Sequence, residues 1–172
     1  MKQSACVLFT ALAVAICGCP KGNSDNNSGD GKPVYVILDT WTDGFDRAKA
    51  KQKAQDAMTR YPNLGCMVGL FAYNPPICLD AVRDADKLGK IQIVAFDEND
   101  DTLKGIKDGH IFGSIVQNPY KYGFESVRVL AALAKGDKTV VPKDGMLPVP
   151  ERVITKDKVD EYWETLKKQT AG

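Results

Sequence analysis

Short apolar runs alternate along the chain with longer segments whose apolar side chains recur every three or four positions. The runs predict strands and the longer segments predict helices. The predicted strands cover 34–38, 66–71, 91–96 and 111–116. The predicted helices cover 46–61, a segment marked by Ile77, Ala81, Ala85 and Leu88, and then 101–107, 120–135 and 156–168.

Strands that alternate with helices of this length imply crossover connections and a parallel sheet. The fold class is therefore α/β, with helices flanking a parallel sheet. The first run, VYVIL at 34–38, is unbroken, which is typical of a strand covered on both faces. A stretch over 140–153 contains several prolines and is predicted to be extended. The helix over 120–135 is expected to turn one apolar face inward, formed by Phe124, Val127, Leu130, Ala131 and Ala134.

The first 32 residues indicate export. Lys2 gives a positive start, and an uncharged run then extends to Ile16, too short to span a bilayer stably. The sequence ICGC at 16–19 resembles a bacterial lipobox, so residues 1–19 are predicted to be a lipoprotein signal peptide with Cys19 as the lipidated residue. An ordinary secretory signal cut nearby is the alternative. Residues 20–32 predict a flexible linker, and residues 33–172 form the folded domain.

Charge and motifs exclude several functions. Lysines and arginines number 23 against 22 acidic residues, with no dense basic cluster, which argues against nucleic-acid binding. The single histidine, His110, and the lack of a Cys-x-x-Cys motif argue against a zinc site. No nucleophile elbow or P-loop follows any predicted strand. We therefore expect neither an enzyme nor a bound cofactor. Cys66 and Cys78 are interpreted as small buried apolar residues, with a disulfide between them as the alternative.

Polar and aromatic residues follow every predicted strand. In open parallel sheets ligands bind beyond the carboxyl ends of the strands. A carboxylate or amide at such a site can grip hydroxyl groups, and an aromatic ring can cover an apolar face, so the pattern favours a sugar. The residues concerned are Asp39, Trp41, Phe45, Asp46, Tyr73, Asn74, Asp97, Gln117 and Asn118.

Simpler roles are open for some of these residues. Asp46 also fits the N-cap of the helix that follows it. Trp41 and Phe71 also fit a role in covering the edge of the sheet. Asp97 and Gln117, each after an apolar run, are the stronger ligand candidates.

Four motifs occur in order: FDR at 45–47, FAYN at 71–74, FD at 96–97 and VQNP at 116–119. Together with DGHIFGSIVQNP at 108–119, they resemble the periplasmic sugar-binding proteins of the ribose-binding type. These proteins share a superfamily with the sensor domains of lactose-repressor-like regulators. The resemblance extends over about 34–163 and concerns mainly the second lobe of that fold. Members of the family are considerably longer than this domain.

The resemblance implies a function and a set of ligands. Phe45 would stack on a monosaccharide such as ribose, and Asn74, Asp97 and Gln117 would bind its hydroxyls, with Trp41 as an additional candidate. The protein would deliver the sugar to the membrane permease of an ATP-driven (ABC) importer. It would be incomplete and lipid-anchored at the cell envelope, facing the periplasm or the cell exterior.

The alternative is an envelope interaction module, or a relic lobe that no longer binds sugar. In the family, the helix over 120–135 packs on a first lobe that this sequence largely lacks. Its apolar face is then expected to lie exposed, to repack, or to be covered by a second copy of the chain or another partner.

Overall fold

The computed structural model describes residues 6–10, 14–18 and 36–171. Within these ranges seven strands form one sheet, flanked by five helices. The strands are β1 (Cys6–Thr10), β2 (Val14–Gly18), β3 (Val36–Thr42), β4 (Cys66–Gly69), β5 (Gln92–Phe96), β6 (Gly113–Val116) and β7 (Arg152–Thr155). The helices are α1 (Arg47–Arg60), α2 (Asn74–Asp84), α3 (Asp100–Asp108), α4 (Pro119–Ala134) and α5 (Val159–Thr170).

The sheet is mostly parallel, which confirms the predicted fold class. Strands β4, β5 and β6 are parallel neighbours, and β3 runs in the same direction because both β3 and β4 pair in parallel with β1. Strands β2 and β7 are antiparallel to their neighbours. The carboxyl ends of β3, β4, β5 and β6 therefore share one edge of the sheet.

Helices α1, α3 and α4 each begin at a residue whose side chain caps the helix. Asp46 accepts hydrogen bonds from the backbone N–H groups of Ala48 and Lys49, so it is the N-cap of α1. Asn99 caps α3 through the N–H of Thr102. Gly109 ends α3 in the left-handed conformation at φ +82°, which glycine adopts without a steric penalty.

One face of the sheet carries the core. Helices α1, α2, α3 and α5 lie side by side, and their apolar residues pack on this face. The strand register shows which residues point to it: Ala95, Ser114 and Ile154 are paired across β5, β6 and β7, and all three are buried. The next paired row, formed by Phe96, Ile115 and Val153, points to the opposite face and is partly or largely exposed.

Two surfaces that the apolar pattern predicted to be covered are exposed. Helix α4 buries none of its residues, so the face predicted to turn inward is exposed, which is one of the arrangements that the family resemblance led us to expect for this helix. Strand β3 was expected to be covered on both faces, yet Ile37 is 67 % exposed. Neither surface is buried by the residues that the structure describes. The exposed residues of the α4 face are Phe124, Val127, Leu130, Ala131 and Ala134.

The lipidation candidate Cys19 and the predicted linker over 20–32 lie outside the described residues. Two segments of the predicted signal peptide, Cys6–Thr10 and Val14–Gly18, are strands β1 and β2. None of the helices in the described ranges is both long enough and apolar enough to span a membrane. Cys78 is a free, buried thiol whose pKa is raised by burial, so Cys66 and Cys78 do not pair with each other.

Candidate functional site

The predicted site residues surround the carboxyl ends of the parallel strands. Phe45 follows β3, Asn74 begins the helix after β4, Asp97 follows β5, and Gln117 follows β6. The sheet topology therefore brings these four positions to one edge, as the alternation of strands and helices predicted. The structure also divides them into two groups with different surroundings, one at the ends of β5 and β6 and one at the ends of β3 and β4.

Asp97 and Gln117 form the first group. The amide Nε2 of Gln117 lies 3.5 Å from Asp97 Oδ1, at the long limit of hydrogen bonding. Asp97 has a left-handed backbone at φ +58°. This backbone is fixed on both sides, since Asp97 N–H donates to Ile115 O at 2.9 Å and Ser114 Oγ donates to Asp97 O at 2.5 Å. Gln117 is exposed and Asp97 half-buried, so both groups keep capacity for a hydroxyl ligand.

Asn74 lies in the second group, behind the surface of the site. Its side chain is 0 % exposed. The amide Nδ2 donates to Asp43 Oδ2 at 2.8 Å, and Oδ1 accepts the N–H of Phe71 at 3.2 Å. In this structure Asn74 therefore links two loops, and its role as a sugar ligand stays a prediction.

Asp43 is the centre of this second group, and sequence reasoning missed it. Its carboxylate is 1 % exposed and accepts three hydrogen bonds. The donors are Phe45 N–H at 2.8 Å, Tyr73 O–H at 2.7 Å and Asn74 Nδ2 at 2.8 Å. Burial and the bond to Asp43 raise the pKa of Tyr73 to about 12, so Tyr73 is a neutral donor at physiological pH. The available signal was the Asp43-Gly44 pair directly after an apolar strand, a common turn sequence.

Three aromatic rings form a wall beside Asp43. The Phe45 ring is 67 % exposed and meets Phe71 edge to face, with centroids 5.6 Å apart. Phe71 lies 6.4 Å from Tyr73, and the guanidinium of Arg47 sits 5.7 Å from the Tyr73 centroid. Phe45 is thus the ring of this wall that offers most surface to a ligand.

The two groups are connected through Asn99. Its Nδ2 donates to the carbonyl of Ala72 at 2.5 Å, while its Oδ1 caps α3. The loop after β5 is therefore tied to the loop after β4. This bond joins the segment that carries Asp97 to the segment that carries the aromatic wall.

Trp41 lies apart from both groups, against α1. Its ring is 6.5 Å from Tyr61, and Lys53 Nζ and Arg60 Cζ lie 5.6 Å and 5.9 Å from its centroid. It packs at the border of the core, as the alternative of an edge-covering residue predicted. Asp46 likewise serves as the α1 cap.

The family comparison agrees with this arrangement. The family described as the periplasmic binding protein domain matches residues 25–138, more than half of the chain. The chain belongs to this family.

Curated relatives of the periplasmic binding protein domain match over part of their length. The ribose import binding protein of Salmonella typhimurium is 33% identical over 106 residues, which cover 60% of this chain and 35% of that protein. The D-allose-binding periplasmic protein of Escherichia coli is 27% identical over 103 residues, covering 58% of this chain and 32% of that protein. The chain thus spans about a third of the length of these relatives.

Solved periplasmic binding structures share the fold. A sugar-binding protein of a sugar ABC transporter from Bacillus halodurans has a TM-score of 0.62 at 25% identity, covering 71% of this chain and 45% of that one. An ABC transporter solute binding protein from Agrobacterium vitis with bound D-fucose has a TM-score of 0.62 at 23% identity, covering 73% and 42%.

In this periplasmic binding protein domain, a cavity of about 300 Å³ adjoins Gln117. Glu98, Arg152 and Tyr162 also line it. Burial raises the pKa of Glu98, the charge of Asp97 raises it further, and a hydrogen bond from Tyr162 opposes both. Burial, followed by the nearby Glu98, raises the pKa of Tyr162 as well. Glu98 and Tyr162 therefore interact with each other and with the nearby charge of Asp97 beside this cavity.

Proposed function

We propose that this chain is the monosaccharide-binding component of an ATP-driven importer, lipid-anchored at the cell envelope and facing the periplasm or the cell exterior. The observation that carries the proposal is the Asp97–Gln117 pair, open to solvent at the carboxyl ends of β5 and β6. The family membership and the names of the curated relatives, which bind ribose and allose, support the sugar as the ligand class.

The chemistry of the pair suits adjacent hydroxyl groups. The Asp97 carboxylate accepts hydrogen bonds from two hydroxyls, and these charge-assisted bonds are stronger than neutral ones. The Gln117 amide both donates and accepts, as a hydroxyl does. The exposed ring of Phe45 supplies an apolar surface at the same edge of the sheet. Within residues 36–171 this edge is open, and an open site buries less of a ligand than an enclosed pocket. We therefore expect weak binding by this chain alone.

Thermal unfolding of the full chain with D-ribose, D-allose and D-galactose tests the proposal. A sugar at about a hundred times its Kd adds roughly 2.7 kcal/mol to the free energy of unfolding. For a domain of this size the midpoint should rise by several degrees. If none of a broad panel of monosaccharides raises the unfolding midpoint, the proposal is contradicted.

Asp97→Asn is the variant that locates the site. Asparagine tolerates the left-handed backbone at φ +58° but loses the negative charge. Hydrogen bonds to charged groups are worth about 1.5–3 kcal/mol, so we expect sugar affinity to fall roughly tenfold or more. The matched control is Asp86→Asn, because Asp86 is also left-handed, at φ +52°, but follows α2 away from the strand ends. Equal sugar affinity in the two variants would show that Asp97 is not part of the binding site.

Lipid anchoring rests on Cys19 and has its own test. Cleavage before Cys19 would remove β1 and β2, leaving β3 to β7 in the mature protein. We expect Cys19→Ala to abolish partition of the expressed protein into a detergent phase and incorporation of labelled fatty acid. Cys17→Ala is the matched control, two positions earlier, and should be lipidated normally. Lipid attachment in Cys19→Ala would refute the assignment.

A second candidate function, an envelope interaction module, is favoured by the exposed face of α4. Its apolar residues Tyr120, Phe124, Val127, Ala131 and Ala134 recur at alternating steps of four and three, the spacing with which helices pack side by side. The occupant this spacing fits is α4 of a second copy. Sedimentation velocity over a range of concentrations should then show a dimer that Val127→Asp dissociates. A monomer at every concentration would exclude self-association through α4.

A further inference from the structure

The buried carboxylate of Asp43 has a function beyond packing. Among residues 36–171 it is the one buried residue of a charged type. Burying a charge is costly unless the charge is paired or hydrogen-bonded. Here the cost is met by three donors, and each belongs to a segment at the proposed sugar site: Phe45 N–H, Tyr73 O–H and Asn74 Nδ2. We infer that Asp43 is a positioning residue, which sets the geometry of Phe45 and Asn74 for the ligand; the inference rests on the proposed sugar-binding function.

The backbone at Phe45 depends on this carboxylate. Phe45 has φ +64°, and it directly follows Gly44 at φ +63°. A bulky residue in the left-handed region is strained and persists only where its surroundings hold it there. The bond from Phe45 N–H to Asp43 Oδ1 at 2.8 Å is the contact that holds it. Asp43 therefore decides the direction in which the exposed Phe45 ring points.

The orientation of the Asn74 amide depends on Asp43 as well. Asp43 Oδ2 can only accept, so it selects the Nδ2 end of Asn74, and Oδ1 of Asn74 is then left for the N–H of Phe71. The result is a directional chain from Phe71 through Asn74 to Asp43. It fixes which end of the buried amide faces each neighbouring loop.

An asparagine at position 43 cannot complete this network. If Nδ2 of the new asparagine faces Nδ2 of Asn74, two donors meet. If the Asn74 amide flips to avoid this, the Nδ2 of Asn74 faces the N–H of Phe71, which is also a donor. If the new amide is turned the other way, its Nδ2 faces the N–H of Phe45. Every orientation leaves at least one donor against another donor, although the side chain has almost the same shape.

Exchanging the two side chains restores the pattern. In Asp43→Asn combined with Asn74→Asp, the new amide oxygen accepts from Phe45 and Tyr73. Its nitrogen donates to the new carboxylate at position 74, whose other oxygen accepts from Phe71. We therefore expect the single variant to disrupt the hydrogen-bond network and the double variant to restore it. The double variant contains the same side-chain atoms as the unmodified chain, in nearly the same volume.

The experiment compares the full chain with Asp43→Asn, the exchanged double variant and the exposed control Asp80→Asn. The first readout needs no ligand: NMR follows the backbone amide of Phe45 and the buried side-chain amide, which lies at position 74 in the unmodified chain and at position 43 in the exchanged variant. We expect Asp43→Asn to shift the Phe45 amide resonance and to accelerate its hydrogen exchange at least about tenfold. The double variant should restore the Phe45 signal, and Asp80→Asn should leave it unchanged. An unchanged Phe45 amide in Asp43→Asn, or one that the exchange does not restore, would overturn the inference.

The second readout is the Kd for the monosaccharide that stabilises the unmodified chain, measured well below the unfolding midpoint. We expect Asp43→Asn to raise it about tenfold, whereas a merely structural role would lower the midpoint and leave the Kd unchanged. Tyr73→Phe removes only one of the three donors, so it keeps the inference testable if Asp43→Asn does not fold. The Kd of this variant for the sugar should rise about threefold. An unchanged Kd would overturn the inference. If the unmodified chain binds no sugar, the proposed function fails, while the Phe45 signal still decides whether Asp43 positions this loop.

Discussion

Helices α3 and α4 are both amphipathic in sequence, yet they end in opposite environments. Leu103 of α3 is 0 % exposed, in contact with the core of the sheet. Leu130 of α4 is 65 % exposed, and no residue of α4 is buried. The more apolar of the two helices is the one left in solvent. An apolar face thus shows that a helix requires a partner, but the partner itself comes from elsewhere in the fold.

The two faces of the sheet show the same contrast. The row of Ala95, Ser114 and Ile154 is covered by helices, whereas Val153 in the adjacent row is exposed. The chain spans about a third of the length of its curated relatives. A second covering layer is the feature that the described residues lack.

The largest expected effect comes from one substitution made on both helices. Leu103→Ala creates a cavity in the core and should cost about 2–5 kcal/mol of unfolding free energy. Leu130→Ala removes an exposed side chain and should change the free energy by less than about 0.5 kcal/mol. Urea unfolding of the two variants measures both. Similar losses would mean that α4 is covered in solution and would break the comparison.

Glycine-to-alanine exchanges should differ in sign between the two helices. At Gly105 of α3 a Cβ would lie 2.7 Å from Ile111 Cδ1 and 3.3 Å from Leu79 Cδ2. Overpacking costs about 1–3 kcal/mol, more than the roughly 1 kcal/mol gained in helix propensity. At Gly123 of α4 nothing lies within 4 Å, so alanine should stabilise by about 0.5–1 kcal/mol. Thermal midpoints check the two signs, and a destabilised Gly123→Ala would show that this side of α4 is covered.

The smallest effect concerns Glu98, a half-buried carboxylate in the loop after β5. Its folded-state pKa is raised, first by burial and then by Asp97, so its contribution to stability is present below the unfolded pKa and is lost as the pH rises through the folded one. Glu98→Gln should therefore stabilise the protein relative to the unmodified chain at about pH 7, with the gain shrinking toward roughly pH 4. Thermal midpoints across this range test it, with the exposed Glu151→Gln as the control for lost charge. A stability gain of Glu98→Gln that does not change with pH would argue against a raised pKa of Glu98.

Local signals predicted most of the fold. Asp46 was predicted as a helix N-cap because its short side chain can reach free backbone N–H groups. Asn99 and Gly109 carry the same kind of local signal at the start and the end of α3. Strand β7 overlaps the predicted extended stretch over 140–153 only at Arg152 and Val153. Four residues with a single buried side chain, Ile154, give too short a pattern, and pairing with β6 decides that they form a strand.

The site was predictable in part. The proximity of Asp97 and Gln117 follows from parallel strands that end at one edge, and the structure places them 3.5 Å apart. Asp43 was missed because an aspartate before glycine is ordinary turn sequence. Its importance depends on Tyr73 and Asn74, about thirty positions away in the chain.

The sequence by itself determined the alternation of strands and helices, their caps, and the placement of polar groups at the strand ends, because these depend on side chains within a few positions of each other. The tertiary structure decided which apolar faces are covered, that Asn74 is buried, and that three donors converge on Asp43. Those outcomes depend on contacts between distant segments. A local pattern shows that a face or a donor requires a partner, and only the folded chain determines whether that partner is present.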